Sequence, residues 1–375
     1  MTPARSAAGG GVEPRRDHGL RVLITGGAGF IGANLALELE MRHSDWEIIA
    51  FDNLHRRGSE LNVARLREHG VSFVHGDVRE PDDLRSVDGF DALVDCAAEP
   101  SAVAGSNGAT SFAVRTNLLG AYHCFEEAAR HAAQVVFLST SRIYPTAAIN
   151  ALAHQEGETR FELAADQPLP GASPLGISEE FPLQGSRTLY GATKLAAELL
   201  LAEYADAFEL RTTVNRCGVV AGPWQMGKVD QGVFTHWMLS FYFRRAIAYF
   251  GFGGAGKQVR DVLHVADLAE LVDEQLQHPD RWAGAVVNVG GGADASLSLR
   301  EASALCKEIT GHAVEVGCDP RVRPGDVRIY ISDRRALAAY TDWRPRHSPT
   351  EVMRDIYTWV YDHERLVTAA LALGQ

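Results

Sequence analysis

Thr25-Gly26-Gly27-Ala28-Gly29-Phe30-Ile31-Gly32 decides how this chain folds. The apolar run 21–25 before it reads as a strand, and 33–42 after it has helical spacing. The glycines at 26, 29 and 32 therefore lie in a strand-to-helix turn. In that setting Gly26 permits the tight turn, Gly29 lets backbone approach a pyrophosphate, and Gly32 lets helix pack closely on sheet. Phe30 and Ile31 open a helix whose free N–H groups face the phosphates. The stretch predicts a dinucleotide site.

Working outward, 46–51, 72–75, 92–96 and 134–139 read as further strands, and 112–131 as a helix. Strands alternating with helices at this spacing predict an α/β fold with a doubly wound parallel sheet of the Rossmann type. Residues 144–187 are polar, proline-bearing and aperiodic, a loop long enough to be functional. Regular structure resumes with a helix at 189–208, a strand at 212–220, a helix-like stretch at 262–276 and a strand at 286–289. The expected organisation is a tail at 1–20 and a nucleotide-binding domain from 21–221 and 264–291. A smaller, discontinuous C-terminal substrate lobe is expected from 222–263 and 292–375.

Asp52 ends the second strand, 20 positions after Gly32. A carboxylate there accepts both adenosine ribose hydroxyls and repels a 2′-phosphate, so NAD is the expected cofactor. Arg56 and Arg57 follow closely and leave NADP open. Asp77, closing the third strand, is placed to accept from the adenine amino group, or else to cap a turn. Asn53, Val78, Ala97, Ala98 and Asn117 complete the expected cofactor contacts.

Tyr190-Gly191-Ala192-Thr193-Lys194 starts the helix after the long loop. Residues four apart share a helix face, so phenol and ammonium can enter one site. A tyrosine titrating near ~10 is a poor base at neutral pH. A nearby lysine and a cationic nicotinamide favour the phenolate, which can take a hydroxyl proton while hydride leaves the same carbon. Ser139-Thr140 ends the fifth strand, where a hydroxyl could hydrogen-bond the reacting group. Arg260 and Arg323 are cations in glycine- or proline-flanked segments, suited to clamping a diphosphate or else solvated at the surface.

Composition sets outer limits. Of 375 residues, 46% are hydrophobic and 22% charged, enough for a full core, and the formal net charge of −12 argues against a nucleic-acid partner. Five scattered cysteines form no ligand pairs, so neither a disulfide framework nor a metal site is expected. No stretch approaches the ~20 apolar residues of a membrane helix. A start without an apolar core is not a secretory signal, and a cytoplasmic location is expected.

Together these residues resemble the extended short-chain dehydrogenase/reductase family, the NAD-dependent epimerases and dehydratases, over about 21–360. The resemblance implies a nucleoside-diphosphate sugar as substrate, and Thr140, Tyr190 and Lys194 as catalytic residues. The family segment Ser-Thr-x-x-Val-Tyr-Gly matches Ser139-Thr140-Ser141-Arg142-Ile143-Tyr144-Pro145, with Pro145 in place of the glycine. Ser139, Thr140, Arg142, Asn215, Gln231, Arg260, Arg323 and Asp326 are the implied substrate-binding set, Asp326 near the nucleoside. Related dehydratases carry Asp-Glu after the threonine, and decarboxylases a glutamate at the second position. Ser141 and Arg142 supply neither, which favours simple epimerisation.

Within the family, Asp230-Gln231-Gly232-Val233 and Gly256-Lys257-Gln258-Val259-Arg260-Asp261 resemble carbon-2 epimerases of CDP-linked deoxyhexoses. Inversion at carbon 4 of a UDP-sugar is the alternative, and a non-catalytic NAD sensor is the alternative of a different class. The resemblance also implies a homodimer or tetramer, associating through the helices at 112–131 and 189–208.

Overall fold

The computed structural model describes residues 19–101, 108, 110–227 and 231–372. Its centre is a seven-stranded, wholly parallel sheet. The strand order is Ala285–Val289, Thr212–Cys217, Gln134–Thr140, Ala92–Asp95, Arg21–Thr25, Glu47–Asp52, Ser72–His75. Chain order reverses beside Arg21–Thr25, which makes the doubly wound switch point where such sheets bind nucleotides at their carboxyl edge. The strands are nearly continuous hydrophobic runs because both faces are covered. On one face Ile24, Leu35, Leu39 and Val272 pack into a core with helices Phe30–Arg42 and Val265–Gln277. On the other, Leu23, Phe125, Phe137 and Leu201 pack with helices Gly120–Arg130 and Leu189–Phe208.

The second lobe has its own core. Phe234, Trp237, Met238, Val352, Ile356 and Trp359 pack where helices Val233–Tyr242, Leu299–Thr310 and Pro349–Asp362 meet. A mixed sheet joins Val219–Ala221, Val259–His264, Ser296–Ser298 and Ile329–Tyr330 beside it. Two of its helices start with full capping boxes, Ser298 with Glu301 and Ser348 with Glu351, so their ends are fixed locally.

The structure departs from the sequence expectations at several informative places. The strand expected at 212–220 breaks at Gly218, and Val219–Ala221 leaves the central sheet to pair with Val262–His264. A side chain at 218 would meet the buried Asp261 carboxylate, so the crossing point has room only for glycine. The stretch at 262–276 is strand up to His264 and helix from Val265, because the His264 imidazole caps the helix by accepting from the Ala266 N–H. The helix expected at 112–131 contains a π-helical turn, Arg115–Leu119, carrying Asn117. The long loop is ordered into short hairpins that pair His154–Glu156 with Phe161–Leu163 and Ala172–Ser173 with Gly176–Ile177. Among the described residues, no helix is long and apolar enough to cross a membrane.

Candidate active site

The glycine turn has the shape its residues predict. Gly26 adopts φ +63°, and a β-carbon on Gly32 would run into the Gly26 carbonyl oxygen and Gly27. Gly29 is the N-cap of helix Phe30–Arg42 and no side chain caps that end, which leaves its N–H groups available to an anion. Phe30 and Ile31 are half-buried against the core, so the helix start is fixed by packing. The donors a phosphate needs are present, and any larger residue at Gly32 would push the helix off the turn.

Around this turn the acidic residues are tightly held. Asp52 is 9% exposed and accepts from the Ala28 N–H (3.1 Å) and the Leu54 N–H (2.7 Å). Burial pushes its carboxyl up, and those two N–H groups oppose the shift. Asn53 donates to Asp77, and Arg79 reaches the same carboxylate. Burial alone would raise Asp77, yet Arg79 and Asn53 hold it down to about 2. Asp77 is thus already committed to two neighbours. Val78 is buried against Gly120, the first residue of helix Gly120–Arg130. Ala97 and Ala98 line the edge after Ala92–Asp95, and the Ala97 Cα lies within 3.0 Å of where a Gly26 side chain would sit. Asn117 is buried, accepts from the Glu99 N–H (2.7 Å) and donates to the Glu99 carbonyl and to Thr193. It ties the edge loop to the helix of the tyrosine.

That helix starts at Leu189, its N-cap Thr188 accepting from the Gly191 N–H. Gly191 lies directly on the Arg142 carbonyl, so no side chain fits there, and the helix rests on the turn Ser141–Ile143. This contact brings the Tyr190 phenol close to the Thr140 hydroxyl. Burial pushes the Tyr190 phenol up to about 12, with Thr140 and Arg142 opposing. Lys194, one turn on, is 1% exposed, its Nζ 3.8 Å from the Phe137 ring centroid. Burial lowers the lysine, opposed first by Asp95 and then by Cys96, Glu198 and Cys217. Thr140 thus ends its strand beside the start of the helix that carries Tyr190, and Lys194 lies one turn further along that helix, over Phe137 of the same strand.

The neighbouring cleft is lined by Ser141, Arg142, Thr146, Thr188, Val219, Arg260 and Tyr330. Arg142 donates to the Gly325 carbonyl (2.7 Å), and Gly325 lies against Thr188. Arg260 donates to Asp326 (2.7 Å) and to the Val259 and Val327 carbonyls, and burial lowers it to about 10. Arg323 stands over the Phe250 ring at 3.6 Å.

Several expected substrate residues are placed elsewhere. Asn215 is fully buried in a reciprocal amide pair with Gln275, within the core instead of the cleft lining. The Ser139 hydroxyl donates to buried Glu198, which also holds Arg216 (2.8 Å). The Asp326 carboxylate is spent on Arg260 and the Val327 N–H rather than standing free for a nucleoside. Gln231 is half-buried just ahead of helix Val233–Tyr242, and Asp230 lies outside the described residues.

Other groups went unnoticed in the sequence. Asp95, Glu198 and Arg216 are charges inside apolar strands or on the inner helix face, and that misfit with periodicity was the available signal. Among the described residues, His264, His347 and Asp355 place ligand atoms within 4.8 Å of one another. His264 Nδ1 accepts the Ala266 N–H, so its proton sits on Nε2 and that atom is no metal ligand as the side chain is held.

Comparison with known proteins follows the same lines. Residues 22–290 match the sequence model of the NAD dependent epimerase/dehydratase family. CDP-paratose 2-epimerase of Salmonella typhi is 29% identical, over 91% of this chain and 99% of that protein. UDP-glucose 4-epimerase of Corynebacterium glutamicum is 28% identical, over 88% and 92%. Among solved structures, the UDP-glucose 4-epimerase of Thermus thermophilus, in complex with NAD, superposes with a TM-score of 0.73. It is 27% identical, over 91% of this chain and 99% of that one.

Proposed function

Because this chain belongs to the NAD dependent epimerase/dehydratase family, we propose that it inverts one carbon of a nucleoside-diphosphate sugar, carbon 2 of a CDP-linked deoxyhexose. The observation that carries the reading is that Gly191 rests on the Arg142 carbonyl and so sets Tyr190 beside Thr140, with Lys194 buried one turn on, next to a cleft whose charged lining is Arg142 and Arg260.

NAD supplies the hydride acceptor and donor when bound. Gly26, Gly29 and the open helix N-terminus hold its pyrophosphate, Asp52 its adenosine ribose, and Asn53, Asp77, Val78, Ala97, Ala98 and Asn117 shape the remaining contacts. Tyr190 takes the proton of the reacting sugar hydroxyl and returns it. Its phenol stands high in the free protein, and the Lys194 ammonium favours the phenolate once the nicotinamide charge is added. Thr140 holds the reacting oxygen. Arg260 and Arg323 anchor the diphosphate, and Arg142 reaches towards the sugar. A firm grip on the diphosphate with a looser one on the sugar would let the oxidised sugar turn and present its other face. Elimination of water needs a further acid and base. The turn after Thr140 presents a hydroxyl and a guanidinium, so epimerisation is favoured.

Carbon 2 and the CDP group rest on likeness to the Salmonella enzyme. Inversion at carbon 4 of a UDP-sugar is the second reading, favoured by the likeness to UDP-glucose 4-epimerases. A non-catalytic NAD sensor would have no use for the Tyr190–Lys194 pair. We place the enzyme in the cytoplasm as a homodimer or tetramer, since the helices expected to associate leave Leu119, Tyr122, Leu199 and Phe208 exposed.

Incubation with CDP-, UDP-, GDP- and dTDP-sugars in heavy water, followed by proton NMR, tests the reading. The expected result is inversion at carbon 2 of a CDP-sugar without solvent label. Inversion only at carbon 4 of a UDP-hexose would replace the carbon-2 assignment, and stoichiometric loss of water or carbon dioxide would overturn epimerisation altogether.

A further inference from the structure

Asp95 plays no part in the chemistry described above, yet it lies beside Phe137, the ring over which Lys194 stands. It ends the strand Ala92–Asp95 and is 1% exposed. In the sheet register its neighbours are Thr25 on one side and Phe137 on the other. Residues directly across a ladder share a face, so Thr25, Asp95 and Phe137 project together towards helix Leu189–Phe208. The Lys194 ammonium stands over the Phe137 ring from that same side.

The two carboxylate oxygens are used differently. Oδ1 accepts from the Thr25 hydroxyl (2.7 Å) and the Ala97 N–H (3.1 Å). Oδ2 is buried with no hydrogen-bond partner. The titratable groups that act electrostatically on the ammonium are Asp95, Cys96, Glu198 and Cys217. Cys124, on helix Gly120–Arg130, lies within the electrostatic reach of both Asp95 and Lys194. Arg142, Glu99 and Cys217 in turn act electrostatically on Tyr190. Of the two carboxylates near the ammonium, Glu198 is already spent on Arg216 and Ser139. Asp95 is the one of this pair that keeps an unspent oxygen. A buried anion lacking donors and a buried cation on an aromatic face are each costly, and each reduces the other's cost.

We propose that Asp95 is a positioning residue for Lys194, its free Oδ2 supplying the counter-charge that holds the ammonium over the Phe137 ring, one helical turn from Tyr190. Asp95 makes and breaks no bond. It acts through the lysine: a charged Lys194 supports the tyrosinate, and a neutral one does not. The inference takes Lys194 as the lysine of the proposed reaction, but its test reads the ammonium directly and needs no substrate.

The chain has four lysines, Lys194, Lys228, Lys257 and Lys307, so carbon-13-labelled lysine gives four side-chain NMR signals. Lys194→Arg identifies the one of interest. In the full chain saturated with NAD, Asp95→Asn keeps the size and the Thr25 contact and deletes the charge. The Lys194 titration midpoint is expected to fall by at least about one pH unit, as removal of a close opposite charge requires. The other three signals should stay in place. Asp95→Glu, which restores the charge, should return the midpoint towards the native value. A midpoint in Asp95→Asn within about 0.3 unit of the native protein would overturn the assignment, given the size expected for a neighbouring charge. So would an equal fall in Asp95→Glu. If the asparagine variant does not fold, Asp95→Ser deletes the same charge in less volume and is read in its place.

Discussion

The two ends of the active cleft are built on different plans. The dinucleotide end is made almost entirely of backbone from one short stretch, Gly26 to Gly32, backed by Asp52 a strand away. The sugar end is made of side chains from distant segments, and they hold one another. Arg142 reaches a carbonyl 183 positions away, and Arg260 pairs with a carboxylate 66 positions away. The first site needs absence of bulk, and the second needs charges that are already neutralised before substrate arrives. In the proposed reaction a dinucleotide would fill the first, and a diphosphate at the second would have to compete with Asp326 for Arg260.

This contrast predicts separable effects, beginning with the largest. Tyr190→Phe should cut kcat by at least ~100-fold, the scale of a general acid–base residue, with NAD affinity intact. Near-normal turnover would remove Tyr190 from that role. Arg260→Ala and Arg323→Ala should each weaken nucleotide-sugar binding by about 1.5–3 kcal/mol, as for hydrogen bonds to charged groups. NAD titrations on the same variants should hardly move. If calorimetry finds NAD and sugar nucleotide weakened equally, the arginines are structural and the two ends are not separate sites.

The opposite pattern is expected from Gly32→Ala. The new methyl meets the Gly26 carbonyl, and such overpacking costs about 1–3 kcal/mol. It should appear as weaker NAD binding, with product-nucleotide affinity in the NAD-saturated protein unchanged. A variant that binds NAD normally would show that the turn tolerates bulk.

The smallest effect concerns the long loop's attachment to the second lobe. Glu301 accepts from Arg160 (2.8 Å) and from Thr159 (2.7 Å). Burial alone would raise its carboxyl, but Arg160, the Ser298 N–H and Thr159 overcome that and hold it at about 2. A depressed carboxyl stabilises the fold fully above its ordinary value of 4.5 and loses that contribution as pH falls towards about 2. Glu301→Gln should therefore lower Tm slightly at pH 7 and leave it closer to the native protein below about pH 3. Equal differences in melting temperature at both pH values would discount the ion pair.

Sequence determined a good deal by itself. A glycine turn between a strand and a helix is a local statement, because each glycine answers to steric limits within a few residues. Alternation of apolar strands with helical spacing is similarly local, and it foretold the parallel sheet. The Tyr190–Lys194 spacing fixed a shared helix face without reference to anything else in the chain. What only the tertiary structure decided was pairing. Asn215 turned to Gln275, Ser139 to Glu198 and Asp326 to Arg260, though each was a reasonable candidate for a ligand. Gly218 handed the chain from one sheet to another because Asp261 lies across from it. Asp95 acquired its meaning only when Phe137 and Lys194 arrived on the same face. A polar side chain in water can have many partners, and the fold selects one by excluding solvent and bringing remote segments within about 3 Å, the length of a hydrogen bond. That selection is a property of the assembled core, so no window of sequence contains it.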